Sequence, residues 1–308
     1  YQTLPDILRK AARKFFESQK PSLYDKSFDV FCEENKDWLD NYALFCALKK
    51  RFGGLPWTKW DAEFKTRKNI TLSDADKDEI SSVKFGQYVF YCQYMRLKRK
   101  ANSRNIEIIG DMPIFVSEDS ADVWANPELF DLKKDLSPRN VAGVGPDYFS
   151  PTGQLWGNPL YSWKSTPKGV YGFWEKRLEK AFGLYDVLRL DHFRGFADYW
   201  AIPANSKDAS NGSWKIGPGK QFFEKKLKFQ QFRLYFRVKG LTGRSQTKPQ
   251  PALNFLIDQV KTLAQHTDSR ITAQGILTIK AQQLEIRSRI QVMGPRRRDT
   301  VSYTHLRA

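Results

Sequence analysis

The chain has 308 residues, a formal net charge of +17 and three cysteines, and it opens at Tyr1 without a basic and apolar leader. Its length allows one large domain or two small ones. No apolar run approaches the ~20 residues that a membrane-spanning helix needs, and the wide spacing of Cys32, Cys46 and Cys92 argues against a disulfide framework and a zinc site. Free thiols of this kind indicate a reducing compartment.

The first third of the chain is predicted to be mainly helical. Apolar side chains recur at helical spacing over residues 40–48 and again over residues 78–100. The second segment ends in basic residues, which complement the negative end of a helix dipole. We therefore predict a helical subdomain over residues 1–105.

An alternation of strand and helix follows. Residues 106–116 have the pattern of a buried strand that runs into a Gly-Asp turn, residues 171–183 that of a helix, and residues 185–190 that of a second strand. The intervening residues 117–164 show little periodicity, which is typical of a functional loop. This order favours parallel strands and an α/β fold, so we predict a partial (β/α)8 TIM barrel with helical insertions, its catalytic part and long substrate loop spanning residues 106–224.

The last third of the chain differs in composition. Residues 1–210 hold 32 Lys and Arg against 29 Asp and Glu, whereas residues 211–308 hold 19 against 5, and all nine Trp occur by Trp214. Helical patterns at 252–264 and 275–292 are not joined by recognisable turns, and the final eight residues are similar to translated sequencing-adaptor sequence. We predict that residues 225–308 are not native barrel sequence but partly or wholly out of frame or foreign. The alternative is a basic tail that binds RNA or another polyanion.

Several kinds of chemistry find no support in the residues. His192 is the one histidine before residue 225, so neither a Ser-His-Asp triad nor a His-rich metal site can be assembled there. Residues 217–220 (Gly-Pro-Gly-Lys) lack the preceding strand and the following Ser or Thr of a phosphate-binding loop. Kinase and nucleotide-binding functions are therefore not favoured.

Carboxylates and aromatic rings remain as the chemical groups on loops after strands. Asp111 and Asp191 each follow a predicted strand, and in a parallel barrel such positions line the mouth of the active site. Carboxylates can bind sugar hydroxyls and attack C1, while rings stack on sugar faces, so we predict a glycoside-processing site. Two alternatives stay open: Arg189 and Asp191 form a structural ion pair, or the Trp residues fill the core. The other candidates for this site are Asp147, Trp124, Trp156, Tyr148 and Trp163.

Three long motifs resemble the 4-α-glucanotransferase family (amylomaltase, or disproportionating enzyme). Their order and spacing match over about residues 20–224, and the resemblance fades beyond Glu224. The motifs are residues 110–116 (GDMPIFV) with 119–130 (DSADVWANPELF), residues 141–150 (VAGVGPDYFS) with 152–161 (TGQLWGNPLY), and residues 189–196 (RLDHFRGF) with 199–203 (YWAIP).

The resemblance implies a retaining glycosyl transfer between maltooligosaccharides or other α-1,4-glucans, without metal or organic cofactor. Asp191 matches the nucleophile, and Arg189, two residues earlier on one strand, would hold it ionised and aim it. Asp147 and Trp156 match substrate-binding positions. Asp111 and His192 match further contacts in the donor subsites, although a local structural role is an equally open reading for all four.

The sequence departs from the family at its second catalytic group. The acid/base Glu should lie on the strand after Asp191, in an Ala-Glu-Asp-Leu-Gly context that this chain lacks, and neither Glu224 nor Glu285 has that context. The transition-state Asp and the amino-terminal part of the family domain are also missing. We therefore expect the chain to be inactive alone.

Other functions and the cell compartment follow as expectations. The alternatives are an α-glucan hydrolase on a related barrel, a basic nucleic-acid-binding protein and a carbohydrate-binding remnant without catalysis. Apart from the glucan we expect no nucleic-acid or membrane partner. The expected compartment is the cytoplasm, with a plastid as the alternative, and the oligomeric state is left open.

Overall fold

The structure is a computed structural model that describes residues 3–18, 26–219, 222, 234–237 and 276–278. None of the helices in these ranges is both long and apolar enough to cross a membrane. The helices are α1 (Thr3–Glu17), α2 (Phe28–Arg51), α3 (Ala62–Thr66), α4 (Asp74–Asn102), α5 (Ala121–Ala125) and α6 (Pro167–Leu184), with short 3₁₀ turns at Trp57–Lys59, Pro127–Leu129 and Phe193–Phe196. The strands are β1 (Ile109–Pro113), β2 (Asn140–Val144), β3 (Gln154–Pro159), β4 (Val187–Asp191), β5 (Asp198–Pro203), β6 (Ser213–Ile216), β7 (Leu234–Arg237) and β8 (Ile276–Thr278).

Two long helices, α2 and α4, organise the amino-terminal third. They contain the helical segments predicted at 40–48 and 78–100, which are confirmed. Ser73 caps α4 in a reciprocal capping box with Asp76, so the first turn of the helix is satisfied by its own side chains. Asp76 is itself buried and accepts a 3.1 Å bond from Arg51, the last residue of α2. This contact fixes the end of α2 against the start of α4.

The barrel part of the fold is a parallel β-α-β unit. β1 pairs with β4 in parallel register from Ile109 opposite Val187 to Pro113 opposite Asp191, and α6 packs against both strands. β7 extends the sheet parallel to β4, and β8 pairs antiparallel with β7, which gives the order β1-β4-β7-β8. The predicted parallel strands and the partial α/β barrel are therefore confirmed.

The segment predicted as a long loop contains much of a second sheet. Residues 117–164 include α5, β2 and β3, and the antiparallel order is β3-β2-β5-β6. The expectation of a stretch without secondary structure is wrong, because β2 finds its partner β5 about sixty residues later in the chain, where local periodicity carries no information. Gly143 allows the close pairing of β2 and β3, since a Cβ there would lie 2.2 Å from the Gln154 carbonyl oxygen.

Aromatic side chains fill the core between the sheets and helices. Trp57, Trp124 and Trp174 are completely buried, and Trp60 and Trp163 nearly so. The reading that Trp fills the core is correct for these five rings. Trp124 and Trp163 consequently cannot stack on a sugar, which corrects their place among the candidates for the site.

Little of the predicted carboxy-terminal tail is described. Within residues 225–308 the structure gives β7 and β8, and the strand at Ile276–Thr278 contradicts a helix over 275–292 at those three positions. The helix predicted at 252–264 and the remainder of 275–292 lie outside the described residues. The prediction that this segment is not native barrel sequence stays a prediction.

Replacing Trp124 with alanine should destabilise the fold strongly. Its Nε1 donates a 2.9 Å hydrogen bond to the Phe64 carbonyl, and its ring lies 5.7 Å from that of Phe45 and 5.9 Å from that of Trp60. We expect Trp124→Ala to lower the free energy of unfolding by about 3–5 kcal/mol through the cavity it leaves, measured by chemical denaturation.

The matched control is Tyr148→Ala, because Tyr148 is 96% exposed. Its free energy of unfolding should stay within about 0.5 kcal/mol of the unaltered chain. Equal effects of the two substitutions would contradict the assignment of Trp124 to the core.

Candidate active site

Two carboxylates and one guanidinium meet towards the carboxyl ends of β1 and β4. Asp191 is the last residue of β4, but Asp111 is the third of the five residues of β1, so the prediction that Asp111 follows its strand in a Gly-Asp turn is wrong. The parallel register places Asp111 of β1 opposite Arg189 of β4, and residues two apart on a strand share a face, so Asp191 lies on the same side as Arg189. Arg189 Nη1 donates to Asp111 Oδ2 and Arg189 Nη2 donates to Asp191 Oδ1. The structure therefore brings together three of the six predicted site residues.

Burial and charge act on Asp111 in opposite directions. Partial burial raises the pKa of the Asp111 carboxyl above its ordinary value, the positive charge of Arg189 lowers it, and the negative charge of Asp191 raises it further. Both carboxylates remain about half exposed, at 53% and 56% of their side-chain surface, whereas Arg189 is 28% exposed. One guanidinium thus pairs with two carboxylates that open to solvent, so one negative charge of the cluster is left uncompensated when both are ionised.

His192 and Trp156 form a second pair beside this cluster. Their ring centroids lie 4.8 Å apart at 86°, an edge-to-face contact, and Trp156 keeps 38% of its surface exposed. His192 has a left-handed backbone (φ +50°), which is uncommon outside glycine and clusters at functional sites. Burial lowers the pKa of His192, and its Nε2 is a buried atom without a hydrogen-bond partner in the described part of the chain. A neutral imidazole therefore supports the exposed indole.

Gly195 makes room for the His192 backbone turn. A Cβ at Gly195 would lie 2.7 Å from Ile114 Cδ1 and 3.3 Å from His192 Cδ2. The Gly195 amide also donates a 2.9 Å bond to the His192 carbonyl, which closes the 3₁₀ turn directly after the strand. Close packing against Ile114 and His192 therefore explains why a glycine occupies position 195 of the motif.

Asp147 has a different environment from the other candidates. Its Oδ1 accepts hydrogen bonds from the backbone amides of Phe149 (2.9 Å) and Ser150 (2.8 Å), so the side chain stabilises its own turn. In the described ranges no hydrogen bond or ion pair joins it to the five other predicted residues, and Tyr148 and Phe149 beside it are almost fully exposed. Its role in substrate binding stays a prediction.

Trp156, whose ring contacts His192, also lines a pocket of about 360 Å³, and none of the other walls of this pocket was predicted from the sequence. The signal available was the polar run Ser117-Glu118-Asp119, which follows directly after the buried residues at the end of β1. The walls with polar or aromatic groups include Thr58, Ser117, Glu118, Asp119, Trp156 and Asn158. Within the described part of the chain, no group of three or more His, Cys, Asp or Glu side chains is arranged to hold a metal ion.

The fold and the cluster define the class: a partial (β/α)8-barrel protein in which one arginine bridges two carboxylates on adjacent parallel strands. A comparison with family profiles matches residues 1–245 to the family described as 4-alpha-glucanotransferase, and the chain belongs to this family. The match continues past residue 224, so the limit expected from the motifs was too short.

Relatives with the same description agree with this assignment. The 4-alpha-glucanotransferase of Thermus thermophilus is 47% identical over 221 residues, which is 71% of this chain and 44% of that protein. The Streptococcus pneumoniae protein is 40% identical over 271 residues, or 87% of this chain and 50% of its own length. The chain therefore spans about half the length of the curated relatives it matches.

Solved structures show the same relationship in three dimensions. Amylomaltase from Streptococcus agalactiae, determined in complex with acarbose, superposes with a TM-score of 0.72 at 33% identity and covers 84% of this chain and 51% of that one. Amylomaltase from Corynebacterium glutamicum, at 16% identity and a TM-score of 0.52, supports the fold alone.

Acidification should reveal the neutral state of His192. Because its folded pKa lies below the unfolded value of about 6.5, its contribution to stability is present above that pH and is lost as the pH falls through the folded pKa. We expect the unaltered chain to lose more stability between pH 7 and pH 5 than His192→Gln does, measured by denaturant unfolding at each pH.

Asp111 provides the internal contrast for that measurement. Its pKa is raised, so its contribution has the opposite sign and is lost as the pH rises from about 4. A His192→Gln chain with the same pH dependence as the unaltered chain would contradict a buried neutral imidazole.

Replacing Arg189 should lower the stability of the fold only slightly if the cluster has a catalytic and not a structural role. Partly exposed ion pairs contribute about 0–1 kcal/mol each, so Arg189→Gln should lower the free energy of unfolding by no more than about 2 kcal/mol. The pKa of Asp111 should rise further because the opposing positive charge is gone, as followed by carboxyl carbon NMR.

Arg139→Gln is the matched control, since Arg139 makes a 3.5 Å pair with Asp131 outside the cluster. It should leave the pKa of Asp111 unchanged. If Arg189→Gln lowers the free energy of unfolding by much more than two exposed ion pairs contribute, Arg189 and Asp191 form a structural ion pair and not a catalytic arrangement.

Proposed function

We propose that the whole protein is a 4-α-glucanotransferase that moves α-1,4-glucan segments between maltooligosaccharides through a covalent glycosyl-enzyme. One observation carries this proposal: Arg189 bridges Asp111 and Asp191 across two adjacent parallel strands. The membership of the chain in the 4-alpha-glucanotransferase family supports the choice of reaction.

The nucleophile in this proposal is the Asp191 carboxylate. One of its oxygens attacks C1 of the donor sugar, the C1–O bond breaks, and the departing glucan oxygen takes a proton from an acid group. The 4-hydroxyl of an acceptor glucan then attacks C1, loses its proton and releases the carboxylate. Asp191 is 56% exposed, so its second oxygen remains accessible while Arg189 holds the first in place.

The neighbouring side chains would bind and orient the sugars. Trp156 is 38% exposed, and its ring is held by an edge-to-face contact with His192. Asp111 keeps Oδ1 available for a sugar hydroxyl because Arg189 engages Oδ2. Asp147 would accept hydroxyls through Oδ2, since Oδ1 is occupied within its turn.

The described part of the strand that lies beside β4 offers no acid/base group. The strand next to β4 on the side away from β1 is β7, and its residues Leu234–Arg237 include no carboxylic acid. A departing glucan needs a proton, and general acid catalysis contributes about 10²–10⁴-fold. We therefore propose that the 308-residue chain can hold a glycosyl group but does not complete turnover.

The substrate class and the compartment follow from the relatives. The Streptococcus agalactiae amylomaltase was solved with acarbose, and we propose that this chain binds oligosaccharides of the same type, without a cofactor and without nucleic-acid or membrane partners. The proposed compartment is the bacterial cytoplasm or a plastid, since the Solanum tuberosum relative is described as chloroplastic/amyloplastic. The comparisons do not favour the hydrolase or nucleic-acid alternatives.

A substrate with a good leaving group tests the nucleophile separately from the acid. Fluoride departs from α-maltotriosyl fluoride without a proton, so Asp191 should form an ester with C1 as the C1–F bond breaks. The ester should accumulate because no base activates an acceptor. We expect intact mass spectrometry to show one added maltotriosyl group, and peptide mapping to place it on Asp191.

Asp191→Asn is the matched variant and should remain unlabelled. Unfluorinated maltotriose should give no glucose or longer glucans with the unaltered chain. Labelling that persists in Asp191→Asn, or that maps to another residue, would falsify the assignment of the nucleophile.

A further inference from the structure

The pocket beside Trp156 is built by two loops that hold each other in place. Trp57 Nε1 donates a 2.7 Å bond to the Glu118 carbonyl, and the Trp57 backbone amide donates a 3.2 Å bond to Asp119 Oδ1. Lys49 from the end of α2 pairs with the other oxygen of Asp119. Asp119 is therefore committed to the scaffold, and the loop at 117–119 has a fixed position.

Glu118 is the charged group of the pocket that the scaffold does not use. Among the described residues, no hydrogen bond or ion pair engages its carboxylate, although the side chain is half-buried in the pocket wall. Burial raises the pKa of Glu118, and the negative charge of Asp119 raises it further. A partly desolvated carboxylate of this kind gains from any ligand that brings hydroxyl donors.

The remaining walls suit a neutral, hydroxyl-rich ligand. Ser117 and Thr58 offer hydroxyls, while Asn158 uses its Nδ2 to donate to the Val116 carbonyl at 2.9 Å and keeps Oδ1 as an acceptor. The Trp156 indole contributes the apolar face. A volume of about 360 Å³ is within the range of small-molecule sites and is sufficient for a sugar unit.

We propose that this pocket is an additional glucosyl-binding subsite, in which Glu118 accepts hydrogen bonds from sugar hydroxyls and gives the protein a preference for longer α-1,4-glucans. The proposal rests on the proposed function. Trp156 connects the two places, because its ring contacts His192, the residue next to Asp191, and also forms a wall of the pocket. A short glucan at Asp191 ends before the pocket, whereas a longer one continues into it.

Binding measurements on the full 308-residue chain test this inference without requiring turnover. Isothermal titration with maltotriose and with maltoheptaose compares a ligand confined to the Asp191 site with one that extends beyond it. We expect Glu118→Ala to weaken maltoheptaose binding by about tenfold, which is the scale of a lost hydrogen bond to a charged group. Maltotriose binding should stay within about twofold of the unaltered chain.

Two further variants separate the subsite from a general effect on the protein. Ser117→Leu fills the pocket while keeping the backbone carbonyl that Ser120 uses, so it should also weaken maltoheptaose selectively. Glu128→Ala removes an exposed carboxylate outside the pocket and should change neither affinity. Thermal unfolding of each variant confirms that it is folded.

The pattern of affinities distinguishes this inference from the proposed function. If the unaltered chain binds both sugars and Glu118→Ala binds maltoheptaose normally, the assignment of the subsite is wrong, whereas the proposed function is unaffected. Equal weakening of both sugars would give Glu118 a structural role and would also overturn the subsite. Failure of the unaltered chain to bind either sugar would reject both proposals.

Discussion

The site depends on one arginine that two parallel strands place between two carboxylates. Arg189 reaches across to Asp111 because the register of β1 and β4 sets them side by side, and it reaches along its own strand to Asp191 because alternate residues share a face. Without the guanidinium the two carboxylates would repel each other at the sheet edge. Partly exposed pairs of this kind contribute little to stability, so the fold holds the cluster and not the reverse.

The aromatic core supplies the rigidity that the cluster needs. Arg177 of α6 lies 4.5 Å from the Trp174 ring centre and donates to the carbonyls of Pro113 (3.0 Å) and Ile114 (3.3 Å). These bonds fix the carboxyl end of β1 two residues beyond Asp111. Buried rings therefore stabilise the strand end on its core side, while the charged side chains of the cluster stay partly exposed to solvent and available for chemistry.

The local patterns of the sequence predicted the elements that carry the cluster. The periodicity of α6, the apolar runs of β1 and β4, and the position of Asp191 at the end of its strand are all properties of short segments. The second sheet was missed because β2 pairs with the distant β5 and its five residues have no distinctive alternation. Of the rings predicted to bind sugar, Trp124 and Trp163 are buried, since burial depends on what packs against a ring and not on the residue type.

By itself, the sequence determined the parallel strand pair, the Arg189–Asp191 partnership and, through its motifs, the family. These features depend on the spacing of residues within a strand and on the order of segments along the chain, and both can be read directly from the amino-acid sequence. Only the tertiary structure decided that Arg189 also holds Asp111, that His192 supports Trp156, and that Glu118 faces a pocket beside that ring. Each of these contacts joins residues more than thirty positions apart, and the side chains meet only because the packed strands and loops bring them together.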